Sequence, residues 1–493
     1  MKSITTKRSV QTILRLTMIL CCLRMNGQIT FQKEYAATPA NQVQSTRDVV
    51  PTPDGGYLIT GMRMSNAADT NIYIVKLDNM GAMQWTQTYG GSKPDYGYNI
   101  IKTVEDDSTY FIVGYTESYG KGPSSTWLLK INGNNGDTLW TKVYGGVSYS
   151  KGHEIQPTMD GNYIITGGSD SLHSGHMYAY LMKVDPKGVV IWTKYYGGDT
   201  YEMAESVKQS LDGGYIFTGQ TDSYGAGAGD VWLVKTDAAG DTTWTKTFGG
   251  PLIDEGHWVL ANNDGSYIIA AETSSFGVGN IDVWIISTDK NGNQIWAKTY
   301  GGVDKDVCHM IQPTLDGNFI VSAISRSFGW VTPRMWLLKV KPTGDTLWTA
   351  NYTGNAGGHT HCYATMPTTD GGYIAVGHTD NPAGPNTEIM AVKMNADGKQ
   401  GVLSVKDYSL TNSLFSIFPN PSEGVLNINF APNFSPASEL SVYDLLGKII
   451  YSGKINSVYS NAIIDLSGKE PGIYFVNIRS NGLSSTRRII LEN

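Results

Sequence analysis

Cysteine is nearly missing from this chain, at 4 of 493 residues. Two of the four, Cys21 and Cys22, sit in an apolar N-terminal run, so beyond it only Cys308 and Cys362 remain, and a disulfide framework is excluded as the main source of stability. Charge is thin as well, at 16 % of residues, and the formal net charge of −7 argues against nucleic acid or an anionic membrane as a partner of the whole molecule. The run "LTMILCCL" (16–23) is too short to span a bilayer, so no transmembrane segment is expected in the mature chain. Arginine is absent between Arg63 and Arg326. What the chain has in abundance is glycine, 57 residues, and tyrosine, 29, a balance that suits a turn-rich all-β exported protein better than a helical enzyme.

The first residues place Lys2, Lys7, Arg8 and Arg15 before the apolar run and Gly27 after it, the layout of a signal peptide over residues 1–27. Ile19 and Leu20 are large where a lipidation signal at Cys21 or Cys22 needs small residues, which argues against a lipoprotein.

The phrase "DVWLVKTDAAGDTTWTKTFGG" (230–250) returns as "DVWIISTDKNGNQIWAKTYGG" (282–302). Aligned on the hairpin "DGGY", an aromatic residue recurs at Tyr57, Tyr110, Tyr163, Tyr215, Tyr267, Phe319 and Tyr373, and Trp85, Trp140, Trp192, Trp244, Trp296 and Trp348 follow the first six. Self-similarity at about 50 residues means a propeller or a solenoid. Alternation and Gly-bearing turns divide each repeat into four strands, A to D from the axis outward, which is a propeller blade. The seventh repeat lacks strand D, and "ITFQKEY" (29–35) supplies a match with Phe31 in the Trp position. The expectation is a seven-bladed β-propeller over 28–403, closed by an N-terminal strand. Asp237 and Gly240 then shape the C–D hairpin, and Trp244 docks between blades. The phrase resembles the tryptophan-docking motif of quinoprotein repeats and the Asp-box of sialidases, but its intervals differ by one residue from each. "DKNGN" (289–293) is no calcium loop, because its siblings "DAAGD" and "KPTGD" are too poor in ligands.

After a polar linker, 404–413, the texture changes to about seven short strands over 414–493, a small immunoglobulin-like β-sandwich. "FPNPSEG" (418–424), "VYDLLGK" (442–448), "PGIYFVNI" (471–478) and "TRRIILEN" (486–493) resemble the type A C-terminal sorting domain of the type IX secretion system of Bacteroidota. The resemblance implies export to the periplasm, passage across the outer membrane by the type IX machinery as partner, removal of the domain, and release or attachment at the cell surface.

In a propeller the B–C and D–A loops share one face, and here those loops are the longer and more varied ones, where binding residues gather. "SYG" or "SFG" recurs there at Ser118, Ser223, Ser275 and Ser327, read first as loop-shaping and second as aromatic platforms for sugars. At the start of strand A the blades align Arg47, Tyr98, His153, Glu205, His257, His309 and Tyr363 as a polar ring near the channel mouth. Cys308, His309, His359, His361 and Cys362 fall in adjacent blades, where zinc or a disulfide is conceivable, but "HTHC" spacing is weak ground and no metal or other cofactor is assigned. Arg47, Arg63, Arg326 and Arg334 map to the variable face of blades 1 and 6, where planar cations would suit acidic glycans. The ligand-binding candidates are therefore Arg47, Arg63, Arg326, Arg334, His309, His359, His361 and Tyr363. A secreted, non-catalytic module for a glycan or protein ligand is favoured, because no catalytic set can be assembled. The alternative is a glycan-active hydrolase or lyase with a sialidase-like propeller, for which Glu205, Asp254 and Glu255 are the handles.

Overall fold

The computed structural model describes residues 28–36, 43–66, 69–171, 176–355, 357–380, 386–400, 415–430, 438–444, 448–455, 461–480 and 483–492. The expected leader and the linker at 404–413 lie outside them. The chain divides into two compact units, residues 1–402 and 403–493.

The first unit is all-β and propeller-like: the described residues form seven antiparallel four-stranded sheets in series, numbered here 1 to 7 along the chain. Sheets 1 to 6 each use four consecutive strands, as in Glu202–Gln209, Tyr215–Thr221, Asp230–Thr236 and Thr242–Phe248 of sheet 4. Sheet 7 takes Thr360–Pro367, Tyr373–Asp380 and Thr387–Met394, and its fourth strand is Phe31–Tyr35, paired from Phe31 opposite Lys393 to Tyr35 opposite Ile389.

Burial explains the strand composition. The second and third strands are covered on both faces and read as nearly unbroken apolar runs, as in "YIIAAET" and "DVWIIST" of sheet 5. Fourth strands such as "TTWTKTF" are exposed or half-buried throughout and carry Thr and Lys, which keeps an outer edge from pairing with other chains.

The repeated markers meet across sheets. Each fourth-strand Trp lies against the hairpin Gly of the following sheet: Trp85 with Gly136, Trp140 with Gly188, Trp192 with Gly240, Trp244 with Gly292, Trp296 with Gly344 and Trp348 with Gly398. Those glycines have φ between +73° and +83° in the five sheets from Gly136 to Gly344, which only glycine adopts without strain. Trp192, Trp244 and Trp348 also face the hairpin tyrosines Tyr215, Tyr267 and Tyr373 at 5.8, 6.0 and 6.1 Å between ring centroids. Phe31, on sheet 7, repeats both contacts with sheet 1: it lies against Gly81 and 6.3 Å from Tyr57. The "DGGY" aspartates have a partner that the motif did not reveal. A buried third-strand lysine reaches back to five of the seven, as in Lys76 to Asp54 at 2.8 Å, Lys235 to Asp212 at 2.8 Å and Lys393 to Asp370 at 2.9 Å.

The second unit holds a three-stranded sheet of Phe415–Phe418, Val425–Phe430 and Asn461–Asp465 and a four-stranded sheet of Ile449–Ile455, Ser438–Tyr443, Gly472–Ser480 and Leu483–Leu491. Phe415, Leu426, Ile428, Leu440, Val442, Val476, Ile478 and Ile489 form its core. The "FPNPSEG" turn is tied to the last strand by Asn420, whose Nδ2 donates to the Arg488 carbonyl at 2.9 Å and whose Oδ1 accepts from the Ile490 amide at 2.8 Å.

Candidate functional site

Every innermost strand of the first unit carries one β-bulge, and all seven fall at the same place. The register breaks between Thr46 and Asp48, Gly97 and Asn99, Gly152 and Glu154, Ala204 and Ser206, Gly256 and Trp258, Cys308 and Met310, and Cys362 and Ala364. The residues left unpaired are Arg47, Tyr98, His153, Glu205, His257, His309 and Tyr363, each half-buried. A bulge re-aims a side chain, so each sheet turns one polar or aromatic group toward its neighbours.

Six of the seven neighbouring pairs are in contact, and Glu205 and His257 influence one another electrostatically. The Arg47 guanidinium lies 4.5 Å from the Tyr363 ring centroid and 5.7 Å from that of Tyr98. Tyr98 stacks on His153 at 4.6 Å, and His153 Nδ1 lies 2.6 Å from Glu205 Oε2. His257 stands edge-on to His309 at 5.9 Å, and His309 is 4.7 Å from Tyr363. Among the described residues the Nε2 atoms of His153, His257 and His309 and Nε of Arg47 are buried without a hydrogen-bond partner.

Electrostatics separate the ring's ionisable groups. Burial alone would raise the Glu205 carboxyl, but the His153 imidazole beside it holds it below the usual range. Glu255, two residues before the bulge of sheet 5, is pushed up by burial, with His257 opposing and Glu205 and Glu272 adding to the rise. Burial would lower His257, but Glu255, Glu272 and Glu205 raise it to about 9. His309 is held well down by burial and by the neighbouring His257 and Arg47.

In sheets 1 to 4 the residue after the bulge does different work. Asp48 Oδ2 accepts from the Ile100 amide at 3.0 Å, Asn99 Oδ1 from the Ile155 amide at 3.1 Å, Glu154 Oε2 from the Val207 amide at 2.6 Å and Ser206 Oγ from the Val259 amide at 3.2 Å. Sheets 1 to 5 are thus stapled in sequence at the ring's base by hydrogen bonds, whereas the matching residues of sheets 5 to 7, Trp258, Met310 and Ala364, are apolar.

The expected site residues are distributed as follows. His309, Tyr363 and Arg47 belong to the ring. His361 stacks on His378 at 4.5 Å and on Tyr363 at 6.2 Å. His359 is exposed, with Nδ1 3.4 Å from Asp380 Oδ2. Arg63 lies over the Tyr73 ring at 5.2 Å, and Arg334 over Trp330 at 5.0 Å with Nη1 3.0 Å from Asn351 Oδ1. Arg326 is exposed in the loop after the second strand of sheet 6. None of the described contacts joins one of the four arginines to another, although Arg47 and Arg326 both act on His361. Cys308 and Cys362 are free buried thiols, pushed up by burial. The "SYG" serines are engaged: Ser118 and Ser327 Oγ donate to Asp95 and Asp306 at 2.7 Å, and Ser275 Oγ accepts from the Leu252 amide at 3.0 Å, tying the B–C loops to the D–A loops.

Sequence reasoning missed Glu272 and His378, which stand opposite Glu255 and His361 on second strands. Their signal was present: each is the fifth residue after the repeat's marker aromatic, Tyr267 and Tyr373.

Residues 416–492 match the family described as the secretion system C-terminal sorting domain. The chain carries a type IX sorting tail. That tail directs export, with secretion or attachment at the cell surface as the destination. No helix of the described residues is long and apolar enough to cross a membrane. No curated protein matches the chain significantly. Among solved structures, similarity extends to a fungal alcohol oxidase of the AA5 family in complex with copper, at 12 % identity over 95 % of this chain and 100 % of that one with a TM-score of 0.45. It also extends to Sqt1 from Chaetomium thermophilum, at 10 % identity over 94 % and 100 % with a TM-score of 0.41. Likenesses this distant carry no argument about activity.

Proposed function

We propose that the chain is a Bacteroidota surface or secreted protein whose first unit is a seven-bladed β-propeller closed by its N-terminal strand, and that this propeller is a non-catalytic binding module for an extracellular glycan or protein ligand. Its signal peptide at 1–27 and its sorting domain at 414–493 act in export, and the propeller between them, 28–403, is the cargo. Closure is supported by Phe31 and Tyr35, which repeat at the junction of sheets 7 and 1 the contacts that join the other sheets.

The observation that carries the binding reading is the ring of seven bulge residues. Aromatic faces at Tyr98 and Tyr363 stand beside imidazoles, a carboxylate and a guanidinium, and several of the polar atoms have no partner within the protein. Unspent donors and acceptors beside aromatic surface, on innermost strands stapled together across sheets 1 to 5, suit a sugar, which presents hydroxyls at its edge and C–H groups on its faces.

A glycan array probed with the mature chain, followed by titration of any hit against Tyr98→Ala and Tyr363→Ala, tests this. Weakened binding with unchanged melting is expected of both variants. A hit that both variants bind as tightly as wild type would remove the ring from the site.

One observation favours the second reading, a glycan hydrolase. Glu205 and Glu255, neighbours electrostatically, are driven in opposite directions, Glu205 below and Glu255 above the usual carboxylate range, the direction of separation that an acid–base pair of carboxylates needs. Turnover of an array hit that is lost in Glu205→Gln and in Glu255→Gln would replace the binding-module reading with this one.

A further inference from the structure

Sheet 5 differs from its siblings at one register position. Two residues before each bulge, the innermost strand faces the second strand with Ser45 opposite Met62, Tyr96 opposite Tyr115, Lys151 opposite Gly168, Met203 opposite Gln220, Val307 opposite Ile324 and His361 opposite His378. In sheet 5 the pair is Glu255 opposite Glu272. Two carboxylates directly opposite in an antiparallel pair repel, and half-burial denies them much of the water that would screen the charge. The bulge brings in a third group, His257, whose Nε2 lies 3.5 Å from Glu272 Oε2. At that separation the two form an ion pair rather than a hydrogen bond, and Nε2 is buried without a hydrogen-bond partner. One ligand atom from each of Glu255, His257 and Glu272 lies within 4.8 Å of the other two.

We propose that Glu255, His257 and Glu272 bind a first-row divalent transition-metal ion, with zinc the best fit. The grounds are geometric and chemical; the site shares His257 with the ring of bulge residues but uses no property of a glycan or protein ligand. Zinc holds nitrogen and oxygen ligands at about 2.0–2.2 Å, and tetrahedral angles then set ligand atoms about 3.3 Å apart. Nε2 and Oε2 at 3.5 Å are too far apart for a hydrogen bond and close enough to share an ion. An imidazole with two carboxylates favours zinc or manganese over calcium or magnesium, which prefer all-oxygen shells. The ion's two positive charges would offset the opposed pair. Three protein ligands leave a fourth position of the ion open.

The full chain, stripped with a chelator, is titrated calorimetrically with zinc chloride and separately with calcium chloride, and cobalt(II) is added to read geometry from its visible absorption. One zinc per chain is expected, little calcium binding, and the intense cobalt bands of a four-coordinate site. Glu255→Gln with Glu272→Gln should weaken zinc binding by about 100-fold or more while leaving the protein folded, since the substitution removes repulsion. Asp107→Asn, at the exposed Lys102–Asp107 pair of sheet 2, should bind as wild type does. Absence of zinc heat in the wild type, or equal zinc binding by the double variant, would overturn the assignment. Should the double variant fail to fold, His257→Gln replaces it, and retention of the four-coordinate cobalt spectrum in that variant would overturn it equally.

Discussion

The Tyr196 hydroxyl, on the fourth strand of sheet 4's predecessor, donates a 2.6 Å hydrogen bond to the carbonyl oxygen of Gly240, 44 residues on and in the next sheet. The same bond joins Tyr35 to Gly81 at 2.8 Å, Tyr144 to Gly188 at 2.8 Å and Tyr352 to Gly398 at 2.7 Å. At the matching place sheet 4 has Phe248, and a phenyl ring cannot donate this bond to Gly292. Trp and Tyr on one strand thus grip a single glycine, one by packing and the other by hydrogen bonding.

The exception gives a stabilising substitution. Phe248→Tyr should raise the melting temperature by supplying the missing bond, a gain of about 0.5–1.5 kcal/mol, and Tyr196→Phe should lose a similar amount. Thermal melts of the two variants beside wild type check both signs at once.

Deleting residues 29–35 should cost far more than an ordinary terminal truncation. It removes the fourth strand of sheet 7, the Tyr35 bond to Gly81 and the Phe31 packing on sheet 1, and exposes the edge of Thr387–Met394. A loss of at least about 3 kcal/mol is expected, the scale of truncating one large buried aromatic. Equal denaturant midpoints for the two proteins would contradict closure.

Acid should unfold the first unit partly through His378. Burial, with His361 and Arg47 alongside, holds this imidazole down to about 3 from an ordinary 6.5. Between those values the unfolded chain binds a proton that the native state refuses, so this group's contribution to stability falls steadily as pH drops from 6.5 toward 3. His378→Gln, which keeps a polar partner for Ser45, should lose less stability than wild type between pH 7 and pH 4.5, measured by urea midpoints.

Removing residues 416–492 should leave the protein in the periplasm, because the sorting tail is the signal for the outer-membrane step. Cell fractionation with immunodetection reads the outcome, and fusion of the same segment to an unrelated exported reporter should carry that reporter out.

Much of this was legible in the chain. The spacing of Tyr215, Trp244 and their counterparts announced four-stranded repeats, because a strand buried on both faces and a hairpin needing positive φ each restrict residue choice locally, repeat after repeat. "ITFQKEY" declared its place beside Thr387–Met394 for the same reason, since it carries the fourth-strand pattern at the wrong end of the chain. The motifs of the last 80 or so residues named the export route, because machinery reads a segment rather than an assembled surface.

What only the tertiary structure decided is which side chains face one another. The seven-residue register was visible, but not that every member sits on a bulge, because a bulge is a relation between two strands and leaves no mark on one. The arginines placed by sequence on blades 1 and 6 find separate partners, Arg47 on Tyr363, Arg63 on Tyr73 and Arg334 on Trp330, since position along a repeat does not fix where a long side chain finds a ring to stack on. Glu255 and Glu272 are 17 positions apart in a chain where like residues recur everywhere, and only strand pairing sets them opposite one another. Local backbone preferences can be written into sequence one residue at a time, whereas a site made by opposition across a sheet exists only once the register is set.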